Sequence, residues 1–405
     1  MVPLPGEGLH GFTLRLSHRL DLTPIELLRL TGLVAPRGTS PPSRLMLMLD
    51  GDELSGFSSA TGPSAKDADQ LTFRPYVNSY PPITEALLGL RGLSARPRGV
   101  FPAWLLTTST RYCPSCLAGN GSAIQQRHGG PWKTEWRMAA NFACLQHRVF
   151  LLTTCPGCAL PAQMIQGTTR RLIAAPGLGG LHPAQCRNLV GPDRVPCGTR
   201  LDSADLHDSS GPSPDLLDLQ SRLPRAHLQG TSQALDPMAA HSRMTDLLIL
   251  AAFIRVTWPL MAHQAPSESL AQSLDYDLKR PGPSPALRLS STTEARWDGD
   301  PFSAHGTAAL LGISARILNL PIADFRSELN HVIAQLPARD EPAWGRTWLM
   351  LKRDSSPLFK HEVVQALHKQ FPRPLPTQAP SHEYSLHANA ATHQRRYLNG
   401  SLMTG

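Results

Sequence analysis

Residues 113–158 read CPSCLAGNGSAIQQRHGGPWKTEWRMAANFACLQHRVFLLTTCPGC. Two Cys-x-x-Cys knuckles, Cys113/Cys116 and Cys155/Cys158, bracket a Cys-x-x-His pair, Cys144/His147. Cys186 and Cys197 follow, completing all seven cysteines of the 405-residue chain. A two-residue spacer lets one tight turn present both side chains to a single ion while its N–H groups face the thiolates. Pro114 and Pro156 preset that turn, and Gly157 and Gly198 relieve crowding beside it. Seven thiols and one imidazole make eight donors, enough for two tetrahedral zinc sites with none left over. An odd number of cysteines argues against a disulfide framework.

Taken in order along the chain, site one is Cys113, Cys116, Cys144 and His147. Site two is Cys155, Cys158, Cys186 and Cys197. In each, 27 residues separate the first pair of ligands from the third. Spacing alone leaves two alternatives open: an interleaved cross-brace, and a second site that uses His182 in place of Cys186 and strands one thiol. Four protein ligands per site leave no open position for water, so two zinc ions per chain are expected in structural roles. Glu135 is the only glutamate between residues 101 and 200, so no acidic cluster stands by as a general base.

The same hundred residues hold the chain's charge surplus. Arg111, Arg127, Lys133, Arg137, Arg148, Arg170, Arg171, Arg187, Arg194 and Arg200 face only Glu135 and Asp193, a local excess of +8. That equals the net charge of the entire chain, so the flanking residues balance to zero. A concentrated basic footprint points to an anionic partner, nucleic acid being the usual one. Seven thiolates and two divalent ions would lower the formal charge by 3, weakening this argument without removing it. Arg170, Arg171, Arg187 and Arg316 are the candidate contacts to phosphate or partner.

Apolar residues make up 41% of the chain, which excludes a wholly disordered or collagen-like protein. The start, MVPLPGEGLHGF, lacks a basic region followed by an apolar core. The longest strongly apolar run, Leu247 to Ile254, falls far short of the ~20 residues that span a bilayer. A soluble, cytoplasmic, nucleoid-associated protein without a membrane segment is expected. No G-x-x-x-x-G-K-[ST] loop is present, which argues against an autonomous ATPase.

The expected fold is mainly α and multidomain. Residues 1–100 form an N-terminal helical, helix-turn-helix-like region, 101–201 a double zinc-binding module, and 202–212 a polar linker. Residues 213–371 form a helical C-terminal region, and 372–405 a disordered tail rich in proline. Thr23-Pro-Ile-Glu26 combines an N-cap, proline at the first helical position and a capping-box partner, and Gly32 follows the end of that helix. Ser64 to Asp67 opens another short helix. Ser213-Pro214 caps a helix carrying Leu216, Leu217, Leu219 and Leu223. Asp236-Pro237 opens a longer one through about Trp258, which Pro259 stops. From Ser303, SAHGTAALLGISARIL matches a helix-turn-helix pattern with Gly312 in the turn and Ser314 as the second cap. A helical hairpin that only packs fits the same pattern, since its second helix offers only Arg316 and Asn319 before Pro321.

The runs CPSCL, PWKTEWRMAANFACLQH and FLLTTCPGC, with Cys186 and Cys197 beyond, resemble the TniQ/TnsD family of transposon target-selection proteins. GEGLHGFTLRL looks like that family's opening, and LLDLQSRL like the helix after its zinc region. The resemblance spans about residues 7–225. It implies a non-enzymatic accessory protein of cut-and-paste transposition that selects or licenses the target site. Such proteins contact DNA, directly or through a guide complex, and recruit an AAA+ ATPase regulator that engages the transposase complex. A homodimer is implied by the resemblance alone. It assigns the metal role to the eight residues above and packs Trp132, Trp136 and Phe142 around the first lobe. The competing readings are a zinc-finger DNA-binding transcriptional regulator and a metal-dependent nuclease.

Overall fold

Leu9–Arg19 forms α1, a helix with nine consecutive buried residues, Leu9 to Ser17. Burial all round marks a helix enclosed by other elements rather than one laid on a surface. The computed structural model describes residues 1–42, 44–90, 104–107, 109–163, 172–204, 211–223, 237–279, 303–335, 356, 359 and 361–362. All belong to one compact unit, Met1–Leu367; the second unit, His368–Gly405, and with it the predicted tail lie outside the described residues. The protein is mainly helical, with two two-stranded sheets among the described residues.

Around α1 pack short helices set by local signals. In α2, Pro24–Leu30, the Thr23 side chain accepts from the Glu26 N–H and Glu26 returns the bond, completing the expected capping box. After α3, Arg44–Leu47, a second capping box at Asp50 and Glu53 opens α4, Gly51–Thr61. Ser64 caps α5, Ala65–Gln70, as its sequence indicates. Helix α6, Pro81–Leu90, closes the group. In the middle of the chain α7, Pro114–Ala118, and α8, Ala123–His128, precede two hairpins. Strands β1, Ala143–Cys144, and β2, Val149–Phe150, pair with Ala143 opposite Phe150. Strands β3, Leu189–Val190, and β4, Val195–Pro196, pair with Leu189 opposite Pro196.

The C-terminal helices are α9, Pro214–Arg222, α10, Pro237–Thr257, α11, Glu268–Lys279, α12, Ala304–Leu318, and α13, Ile322–Ala334. The first two start where Ser213-Pro214 and Asp236-Pro237 place them. Helix α12 packs against α9, α10, α11 and α13. This corrects the helix-turn-helix expectation at Gly312. Residues 304–318 are one continuous helix, and the turn comes later, at Asn319 to Pro321. Gly312 is there for close packing: a Cβ on it would stand 2.6 Å from Pro266 Cγ and 3.1 Å from Leu216 Cδ2. The helix after the turn presents Asp324 and Glu328 beside Arg326, and Arg326 is paired with Glu362. That surface is not a basic reader of DNA.

The three sequence segments interlock within the unit. Glu7 bridges to Lys133 across the first boundary, and α6 meets α10. Gln220 Oε1 accepts from the N–H groups of Phe142 and Ala143, at 2.8 and 3.0 Å. The buried Arg111 guanidinium donates to Ala139 O, to Asn141 O and to Thr307 Oγ1 on α12. Among the described residues no helix is long and apolar enough to cross a membrane.

Two outcomes follow from this packing. Replacing an exposed helical glycine by alanine stabilises by about 1 kcal/mol, but Gly312→Ala should destabilise by about 1–3 kcal/mol through overpacking. A thermal midpoint at or above that of the parent protein would contradict the packing role.

The second outcome concerns pH. Burial, helped by the Arg137 charge, lowers His10 to about 3, and His10 Nε2 has no hydrogen-bond partner. Its folded pKa lies below the unfolded value of 6.5, so the unfolded chain takes the proton first. The resulting stability is present above pH 6.5 and is lost as pH falls toward 3. This one enclosed imidazole contributes about 1.4 kcal/mol per pH unit in that window. His182, lowered mainly by burial to about 4, acts the same way. Glu7 opposes them: burial raises it to about 7, so its contribution is lost as pH rises from 4.5 to 7. With two imidazoles against one carboxyl, the thermal midpoint should fall on acidification below about pH 6.5; a flat or rising midpoint would refute this.

Candidate metal centres

The first knuckle is the start of α7. Cys113 is its N-cap and Pro114 its first residue, so Cys116 comes round one turn later on the same side. Across from it, the β1–β2 hairpin carries Cys144 on its first strand and His147 in its turn, and Arg148 closes that turn at φ 56°. Tyr112 pairs with Leu152 and holds knuckle and hairpin side by side. The second centre is built differently. The knuckle Cys155-Pro-Gly-Cys158 faces the base of the β3–β4 hairpin, with Cys186 ahead of β3 and Cys197 just after β4. The tip of this hairpin therefore points away from its ligands, whereas the tip of the first carries one. At the second knuckle a Cβ on Gly157 would stand 1.9 Å from Thr199 Oγ1, so no larger residue fits.

The structure brings the eight donors together as two sets, Cys113, Cys116, Cys144, His147 and Cys155, Cys158, Cys186, Cys197, each with its ligand atoms within 4.8 Å of one another. This is the sequential grouping, without interleaving. Within the first set, Cys116 Sγ lies 3.6 Å from Cys144 Sγ. His147 Nδ1 lies 3.4, 3.3 and 3.6 Å from Cys113, Cys116 and Cys144. Within the second, Cys155–Cys197 and Cys158–Cys186 are 3.8 and 4.0 Å apart. Tetrahedral Zn–S bonds of about 2.3 Å place sulfurs roughly 3.8 Å apart, whereas a disulfide requires about 2.05 Å. The distances and the donor chemistry both fit zinc. His182 is not part of the second set: its Nδ1 accepts from Ala184 N–H, and its ring packs on His18.

Electrostatics show why the clusters suit a cation. Hydrogen bonds with Cys113 and Cys144, together with burial, push the Cys116 thiol up, while bonds from Cys113 and Cys116 hold Cys144 well down. Burial pushes Cys186 up as well. Crowded, buried thiolates repel one another, and a divalent ion offsets that repulsion. Neighbouring groups orient the sulfurs of the second set. Asn188 Nδ2 donates to Cys158 Sγ at 3.4 Å, and Thr199 Oγ1 lies 3.1 Å from Cys197 Sγ.

The candidate contact residues fare differently. Arg187 is buried, and its guanidinium donates to Ala174 O, Ala175 O and Leu178 O at 3.1, 3.0 and 2.5 Å. Burial lowers it to about 10. It braces the second lobe from inside, which corrects its expected role in partner contact. Arg316 is exposed, and its Nη1 donates to Gln264 O and Ala265 O. Arg170 and Arg171 lie outside the described residues.

Sequence reasoning did not bring three histidines together. His18 at the end of α1, His128 at the end of α8 and His182 ahead of the second lobe form a row. His18 Nδ1 lies 2.9 Å from His128 Nδ1, and the His18 ring lies 5.4 Å from that of His182. No local spacing marks residues so far apart in the chain.

The expected aromatic packing is present: Trp132, Trp136 and Phe142 are all fully buried. Neither a curated protein nor a solved structure matches the chain. The family model described as TniQ matches residues 1–151, a span that runs from α1 through the first Cys/His set to β2. Over these first 151 of its 405 residues the chain is therefore similar to the TniQ family.

Proposed function

We propose that the protein is a non-enzymatic, zinc-dependent adaptor of DNA transposition that selects or licenses the target site and recruits an AAA+ ATPase regulator of the transposase. The observation that carries this reading is the TniQ match over residues 1–151, which includes every ligand of the first set. Two closed sets of four donors support a scaffolding role for the metal, because neither leaves a coordination position for a reacting water. In this reading Cys113, Cys116, Cys144 and His147 hold one zinc, and Cys155, Cys158, Cys186 and Cys197 the other. The metals supply folding energy to short hairpins that have little core of their own. The lobes in turn present surfaces to DNA, to a guide complex or to the ATPase.

Elemental analysis should find about two zinc ions per chain, one for each set. Cys144→Ser or His147→Ala should lower this to about one and reduce thermal stability, because binding energy is folding energy. Parental zinc content and stability in both variants would sink the metal assignment. For the adaptor role, a neighbouring gene should encode an AAA+ ATPase, and that ATPase should co-purify with the parent protein and be lost from the Cys144→Ser variant. Failure of any ATPase to co-purify with the parent protein would remove that role and leave the metal assignment standing.

A further inference from the structure

The basic surplus between residues 101 and 200 is less exposed than its count suggests. Arg111, Arg137 and Arg187 are all buried. Arg111 and Arg187 are directed at backbone carbonyls and Arg137 at Thr110 Oγ1. Three exposed cations stand by the histidine row: Arg19 follows His18 on α1, Arg127 precedes His128 on α8, and Arg200 bridges to Gln185, whose Oε1 accepts from His182 N–H. His128 feels Arg127, Arg19 and Arg15; His18 feels Arg127 and Arg200; His182 feels Arg200. Opposing them are Asp21, beside His18, and Asp202, which holds Arg200 through two bonds of 2.8 and 2.5 Å. Arg15 is itself paired with the buried Glu7.

A structural role explains part of this arrangement. His18 and Arg19 end α1, and Arg127 and His128 end α8, where cations complement the terminal carbonyls. That reason does not reach His182 or Arg200, which sit on no helix yet arrive at the same place. Between His18 and His128 one Nδ1 donates and the other accepts, so the pair shares one proton at that contact. His182 Nε2 is closed to solvent and has no hydrogen-bond partner. Leu20, the C-cap of α1, is exposed beside this row.

We propose that the seam of His18, His128 and His182, rimmed by Arg19, Arg127 and Arg200, is a phosphate-binding site through which the protein holds a nucleic-acid backbone. Phosphate oxygens accept the charge-assisted bonds that guanidinium and imidazolium groups donate. A docked phosphate adds negative charge beyond that of Asp21 and Asp202, so an imidazole takes up a proton from solvent on binding. This inference rests on the DNA-contact part of the proposed function and names the surface responsible.

The test is binding of a labelled short DNA duplex to the full-length, zinc-loaded chain, followed by fluorescence anisotropy across salt and pH. Affinity should rise as pH drops from about 8 to about 6, approaching roughly tenfold per unit if one proton is taken up. Arg19→Ala combined with Arg127→Ala should weaken binding on the order of tenfold and reduce the salt slope by about 2. Both arginines are exposed, so the fold should tolerate their loss. His18→Gln should flatten the pH dependence while thermal stability at neutral pH stays near that of the parent protein. If the parent protein binds duplex and these variants bind with the same affinity, salt slope and pH dependence, this inference is overturned and DNA contact lies elsewhere. If the parent protein does not bind duplex at all, the direct DNA-contact reading falls, and this inference with it. Protection of the seam by inorganic phosphate, with duplex affinity unchanged by saturating phosphate at matched ionic strength, would assign the seam to a small phosphate and overturn the nucleic-acid part.

Discussion

Trp132 is where three parts of the chain close on one another. Its ring is fully buried and meets Tyr112 and Trp136 of the first lobe at 6.2 and 6.1 Å between centroids. On one side α1 comes so close at Gly11 that a methyl group there would stand 2.8 Å from Trp132 Cβ. On the other, the indole N–H donates to Pro183 O at 2.9 Å and draws the second lobe in. A large aromatic ring with one polar handle is suited to this, because it buries area and still satisfies its donor. The consequence reaches the histidine row, since Pro183 carries His182 to the turn that follows His128.

The two Cys/His clusters depend on that closure. Four-residue hairpins cannot stand alone in water, and here each is held between a knuckle and a buried partner. Gln220 satisfies the backbone of β1 from α9. Arg111 reaches from beside the first knuckle to Thr307 on α12. The lobes are therefore continuous with the helices on both sides, and a disturbance of one ligand would be felt in α9 and α12.

Charge shows most clearly how a count and a structure can differ. Sequence spacing places ten cations in one hundred residues. The fold takes three of them inside, where their donors meet oxygens that would otherwise be orphaned. What remains for a partner is smaller and more localised than the total, and part of it gathers around imidazoles whose charge is adjustable.

Features encoded in short windows could be read from the sequence. The capping box at Thr23 and Glu26, the proline-led starts of α9 and α10, and the four knuckle cysteines rest on neighbours a few residues apart, and the number of sites on ligand number. A tetrahedral ion requires four donors, so counting could reach two sites, while proximity in the fold decided which donors share each one. Features made by non-local contact could not be read. Gly312 looked like a turn because glycine serves both turns and close approaches, and only Pro266 and Leu216 across from it decide which. Arg187 looked like a phosphate contact because its sequence does not record that three carbonyls fold around it. His18, His128 and His182 are far apart in the chain and meet only because α1, α8 and the second lobe converge. The sequence by itself determined where helices begin and which atoms can hold metal, because backbone capping and ligand chemistry are local. The tertiary structure alone decided which charges face outward, because burial is a property of the whole packed chain.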